Sequence, residues 1–217
     1  MNVEELVKEL KAVANPDDAV YMKAYMKNKF DFLGVKTPAR RKFAKAFFKQ
    51  QTDSVIDWDF INEAWNNPYR ESQYIALDYL EIRKKLLTPS DLPRLKKLAQ
   101  TKSWWDTIDF LDRLVGTIIA RFPETKEIIL VWSRDEDIWL RRLAIDHQLL
   151  RKEETDTELL EKILVNNLGQ TEFFINKAIG WALRDYSKTN PDWVRDFIER
   201  HQAEMAALSI REGSKYL

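Results

Sequence analysis

The chain has no cysteine, only two histidines (His147 and His201), and only 5 glycines and 7 prolines among 217 residues. Without a thiol, disulfides, Cys-ligated metals and thiol nucleophiles are excluded. Neither histidine lies in a metal-ligand pattern with a nearby His or carboxylate pair, so a zinc hydrolase and, more broadly, a metal site are not expected. The few glycines form no phosphate-cradling loop, which removes the common nucleotide-dependent kinases and dinucleotide enzymes, and no nucleotide cofactor is expected. No segment has the form of a nucleophilic serine elbow. No apolar run approaches the roughly 18 residues of a membrane span, and no signal peptide is visible. A soluble cytoplasmic protein that does not use a membrane is the expectation.

An excess of either charge is missing as well: 35 basic side chains balance 35 acidic ones. Nucleic-acid-binding domains are usually strongly basic. A neutral total does not separate a uniform surface from a polarised one. Acidic runs such as Asp57-Trp58-Asp59 and Glu153-Glu154-Thr155-Asp156 can sit on one side and leave a basic stripe on another.

What is present is helix. The chain is 45% hydrophobic and 32% charged, a balance that suits long helices with few turns and argues against a β-sandwich or disorder. Start signals follow one another. Asn15-Pro16-Asp17 opens an apolar-periodic run through Tyr21, Ala24, Tyr25 and Met26. Thr37-Pro38 reads as an N-cap with proline at the first helical position, and Asn67-Pro68 begins a further helix. Thr88-Pro89, Phe122-Pro123, Arg134-Asp135 and Asn190-Pro191 mark more boundaries. About a dozen helices of roughly 10 to 17 residues result, joined by short connections. The β-branched clusters near Ile128 and Ile163 keep a helical period, so no strand is expected.

Aromatic and charged positions recur along these helices. In Trp104-Trp105-Asp106-Thr107-Ile108-Asp109, Trp105 and Asp109 share one face a turn apart. Lys177, Trp181 and Arg184 line up at the same spacing, and Trp139-Leu140-Arg141-Arg142 lies between the two groups. Trp105 and Arg142 are 37 positions apart, and Arg142 and Trp181 are 39. A period of roughly 35 to 45 residues built of helix pairs is what tetratricopeptide and HEAT-like arrays show. The expectation is an all-α fold: a curved α-solenoid of HEAT-like two-helix repeats, one domain over residues 1–217, with the three groups facing a common concave groove.

A carboxylate among indole faces suits a reaction whose transition state carries positive charge. Breaking an N-glycosidic bond is one, since it passes through an oxocarbenium-like sugar. A leaving base that is already cationic needs no general acid, so the absence of a histidine beside Asp109 is no obstacle. The structural alternative stays open at each position. Trp105 with Asp109 is also what core packing and a helix-dipole partner produce. Trp104 reads as a core member, Trp181 alone reads as core, and Arg142 and Arg184 alone read as solvated surface groups.

Longer segments carry a resemblance. They are residues 25–30 (Tyr-Met-Lys-Asn-Lys-Phe), 32–41 from Phe32 to Arg41, Pro68-Tyr69-Arg70-Glu71, Ala76-Leu77-Asp78, Thr101 to Asp106, Ile138 to Arg142, and Phe173 through Trp181 to Pro191. In that order and over nearly the whole chain they resemble the AlkD-type DNA alkylation-repair glycosylases, whose fold is a curved stack of HEAT-like repeats. The tail Leu208-Ser209-Ile210-Arg211-Glu212 also looks like the family's end, and its helix is expected to be short. The resemblance implies that Trp105 and Trp181 flank the deoxyribose of a damaged nucleotide, and that Asp109 stabilises the sugar cation and positions water. It implies that Arg142 and Arg184 contact phosphate and that Tyr25 lines the groove. A helix N-terminus at Thr37 is suited to hold a phosphate, and Lys177 reads as a surface or phosphate-contact group.

The implied partner is double-stranded DNA carrying N3- or N7-alkylated purines, engaged by a monomer through backbone and sugar. The competing expectations are a non-catalytic DNA-binding solenoid, which needs the groove but not Asp109, and a protein-interaction scaffold, which needs neither.

Overall fold

The structure, a computed structural model, describes residues 2–49 and 54–217. Among them it is all-α, with thirteen α-helices, short 3-10 turns and a single isolated bridge between Asp31 and Tyr69. No helix among the described residues is long and apolar enough to cross a membrane. The chain packs as two compact units, residues 1–87 and 88–217.

The first unit holds α1 (Val3–Ala12), α2 (Pro16–Tyr25), α3 (Thr37–Phe48), α4 (Trp58–Asn66) and α5 (Arg70–Arg83). α5 packs against α3 and α4, and α1 against α4. Their apolar stripes close over a core that includes Leu6, Leu10, Phe60, Ile61 and Leu80, all at most 1% exposed. Each such side chain contributes about 1.5–3 kcal/mol of burial.

α2 is different, because none of its residues is buried. The apolar-periodic run expected there forms a helix, but Val20, Tyr21 and Tyr25 are left 60–72% exposed. Its ends are fixed instead. Asn15 Oδ1 accepts from the backbone N–H groups of Asp17 and Asp18 at 3.0 and 3.2 Å, and Pro16 supplies a preset helical φ. Asn15 N donates to Leu33 O at 3.1 Å, and the Glu71 carboxylate gathers the N–H groups of Leu33, Gly34 and Val35 at 2.9–3.1 Å. Gly34, at φ +85°, is needed because a Cβ there would lie 1.9 Å from Asn15 O. A loop cradled by a buried carboxylate thus carries α2.

Thr37 requires a small correction. It is the first helical residue of α3 rather than its N-cap; Lys36 occupies the cap, with no side-chain capping bond. Pro38 then falls one place further in, where its missing N–H is still harmless.

The second unit holds α6 (Leu92–Ala99), α7 (Trp105–Arg121), α8 (Lys126–Trp132), α9 (Ile138–Asp146), α10 (Thr157–Val165), α11 (Phe173–Ser187), α12 (Pro191–His201) and α13 (Ala207–Gly213). α6 packs against α7 and α8 against α9, α10 packs against both α8 and α9, and α9 lies side by side with both α7 and α11. That is helical-repeat packing. α8 and α13 have 7 residues each, shorter than the spacing of start signals suggests. The cluster around Ile128 lies in α8 and that around Ile163 in α10, both helical as the period predicts.

Candidate active site

α7 is built on a stripe of Ile108, Leu111, Val115 and Ile118, each fully buried. Trp105, Asp109 and Asp112 occur at i, i+4 and i+7 and share an adjoining face. On α9, Trp139, Arg142 and Asp146 occur at i, i+3 and i+7, and on α11, Lys177, Trp181 and Arg184 at i, i+4 and i+7. Because α9 lies between α7 and α11, these three faces are brought together.

At their centre is an ion pair. Arg142 Nε donates to Asp109 Oδ1 at 2.7 Å, and its Nη2 donates to Asp109 Oδ2 at 2.8 Å. Its Nη1 donates to Phe174 O at 2.8 Å. Arg142 is 1% exposed, so the reading of it as a solvated surface group is corrected: it is a buried fork that holds the acid. Asp109 keeps a side chain 21% exposed, enough to meet solvent or a ligand. Burial holds its carboxyl above the usual aspartate range, and the hydrogen bonds and charge of Arg142 offset part of that rise.

Trp181 lies beside this pair, its ring 5.2 Å from the Arg142 guanidinium carbon, 5.8 Å from that of Arg184 and 5.8 Å from Lys177 Nζ. Three cations thus surround one indole, each of them paired with a carboxylate. Lys177 and Arg184 are not free. Glu212 of α13 accepts from Lys177 Nζ at 2.8 Å and from Arg184 Nη1 at 3.0 Å. The Lys177 hydrogen bond is the chief reason that the Glu212 carboxyl sits below its ordinary range. An open cavity of about 230 Å³ is lined by Asp109, Arg113, Leu150, Trp181, Arg184 and Lys188, among others. Acid, indole and bases therefore face one space.

Trp105 stands one turn before Asp109 at the first position of α7 and is half-buried. Trp104, expected in the core, is half-buried in an aromatic cluster. Its ring lies 5.5 Å from Trp139 and 5.1 Å from Phe174, and those two rings are 4.9 Å apart. The cluster ties together the N-terminal ends of α7, α9 and α11, and so fixes the Phe174 carbonyl that receives Arg142. Tyr25 and Thr37, both exposed, belong to the first unit.

Sequence reasoning missed three acids: Asp112, Asp146 and Glu212. Carboxylate oxygens of Asp109, Asp112 and Asp146 lie within 4.8 Å of one another, with the Arg142 guanidinium among them as the resident cation. Burial, then the charges of Asp146 and Asp109, raises Asp112 well above the carboxylate range; burial likewise pushes Asp146 up to about 8. The spacing was visible, since Asp112 is three residues beyond Asp109 and Asp146 four beyond Arg142. Helix-borne acids, however, usually face solvent. For Glu212 the only signal was Gly180, where a Cβ would come 2.5 Å from Glu212 Cβ: the bare helix lets α13 approach. His147 offers no proton at neutral pH, because burial drives its pKa down to about 3.

Comparison with known proteins identifies the family. The family model described as DNA alkylation repair enzyme matches residues 6–217. A solved structure described as a predicted DNA alkylation repair enzyme from Enterococcus faecalis is 34% identical, with a TM-score of 0.86 over 94% of this chain and 96% of its own. AlkD2 from Streptococcus mutans shares the fold at 16% identity and a TM-score of 0.61, covering 84% of this chain and 90% of its own. The protein smu.31 from Streptococcus mutans UA159 does so at 16% identity and a TM-score of 0.60, over 92% and 99%. The curated proteins give no match.

Proposed function

Because the chain belongs to the DNA alkylation repair enzyme family, we propose that it is a monofunctional DNA glycosylase releasing cationic N3- and N7-alkylpurines from duplex DNA. The observation that carries this reading is the partly exposed Asp109 carboxylate, fixed by two bonds from a buried Arg142, facing the same space as Trp181. As the glycosidic bond lengthens, electrons leave with the purine, whose existing positive charge they neutralise, and the sugar becomes cationic. Asp109 opposes that charge from a position set before the reaction begins, and such preorganisation removes the cost of orienting a dipole during it. Its remaining lone pairs direct a water to the anomeric carbon and accept the proton that water loses as the new C–O bond forms. An abasic site is the product.

Trp105 and Trp181 supply apolar faces for the deoxyribose, and the developing charge is met by Asp109. Arg184 and Lys177 take flanking phosphates in place of Glu212. Tyr25 on α2 and Thr37 at the start of α3 contact DNA, and both side chains are exposed. No nucleotide cofactor is invoked, and a monomer in the cytoplasm is the form proposed to act.

One observation favours a second reading, DNA binding without excision: both oxygens of Asp109 already accept from Arg142. Release of 7-methylguanine from methylated duplex separates the two. Excision by the wild type supports the glycosylase; binding without release by a folded wild type supports the binding module.

A further inference from the structure

Beneath the Asp109–Arg142 pair lie two carboxyls with no role in the reaction just described. Asp146 on α9 and Asp112 on α7 are each 1% exposed. Asp146 Oδ2 is 3.8 Å from Arg142 Nη2, beyond hydrogen-bond reach, and neither Asp146 oxygen has a hydrogen-bond partner. Asp112 Oδ1 likewise has none; its nearest cation is Arg113 Nε at 3.8 Å. The groups facing Asp146 are Arg142 on its own helix, Asp109 and Asp112 on α7, and Asp185 on α11.

Three carboxylates around one buried guanidinium cannot all be charged, since each unpaired ion in such a place costs several kcal/mol. Geometry selects the one that stays ionised. Asp109 alone receives the fork of Arg142 and touches solvent, so the protons go to the two acids behind it.

We propose that Asp146 and Asp112 are positioning residues for Asp109: two buried carboxylic acids held in the neutral form, which leave the Arg142 fork to Asp109 alone. This rests on the reading of Asp109 as the acid of the site. When Asp146 loses its proton, a second negative charge appears 3.8 Å from Arg142 Nη2 and competes for the guanidinium, so Asp109 loosens. The sign is fixed by linkage. An acid whose folded pKa is raised binds more protons folded than unfolded, so stability falls as pH rises from the ordinary aspartate range toward about 8.

The test uses the full chain labelled with ¹³C at aspartate carboxyls. In the wild type, the Asp146 resonance should be that of a neutral acid at pH 6 and titrate near pH 8, and the Asp109 resonance should move in the same step. In Asp146→Asn that step at Asp109 should vanish, and the fall of melting temperature between pH 5 and 9 should be shallower than in the wild type. An Asp146 resonance already ionised at pH 6 would overturn the proposal, as would an Asp109 resonance indifferent to its titration. On methylated DNA, excision should decline above pH 8 relative to its own maximum, and Asp146→Asn should move that decline up by at least one pH unit. If folded wild type releases no base at any pH, the glycosylase reading fails, while the resonances still decide the charge state of the three acids.

Discussion

Arg142 meets Asp109 through two parallel bonds, Nε to Oδ1 at 2.7 Å and Nη2 to Oδ2 at 2.8 Å, and spends its third nitrogen on the Phe174 carbonyl. One guanidinium therefore ties α9 to α7 and to α11, and sets the direction of the only acid in the cluster that reaches solvent.

Arg142→Lys keeps the charge but replaces a planar fork by a point donor. Losing one charge-assisted bond is worth about 1.5–3 kcal/mol. Excision is expected to fall roughly 10- to 100-fold, with a lowered urea midpoint. Full activity in the lysine variant would show that the fork does not orient Asp109.

Glu212 occupies the two cations proposed to receive phosphate. Glu212→Gln is expected to tighten binding to undamaged duplex roughly three- to tenfold, about 0.7–1.4 kcal/mol. Its salt slope should steepen by up to about 0.9 per phosphate newly contacted. Fluorescence anisotropy across a salt series checks both, and an unchanged slope would remove Lys177 and Arg184 from the DNA contact.

Glu71 tests how α2 is carried. Glu71→Gln removes the charge under three backbone N–H groups, and a loss of about 1.5–3 kcal/mol on urea unfolding is expected. A loss below about 0.5 kcal/mol, the usual range for a surface substitution, would mean that the loop stands without it.

The sequence made many helices legible because caps and prolines punctuate them: Asn15, Asp137 and Asn190 cap at boundaries their residue types mark. Asp57 and Asp156, which read as parts of acidic runs, are also caps. It made Asp109, Trp181 and Arg184 legible because the repeat spacing returns the same face every two helices. It did not reveal that Arg142 turns inward, since a helical arginine is solvated by default and only the placement of α11 supplies the Phe174 carbonyl. Nor did it reveal Asp112 and Asp146, whose burial depends on α7 and α9 packing those faces together. The exposed face of α2 was hidden too: periodicity reports which residues share a side, not whether another helix covers it.

The proposed mechanism turns on Asp109 as the acid of a glycosylase. Release of 7-methylguanine from methylated duplex by the wild type, with Asp109→Asn run beside it, tests this most directly. Release by the wild type and a loss of about 100- to 1000-fold in the variant are expected, with folding and DNA affinity retained. Equal release by both proteins would contradict it.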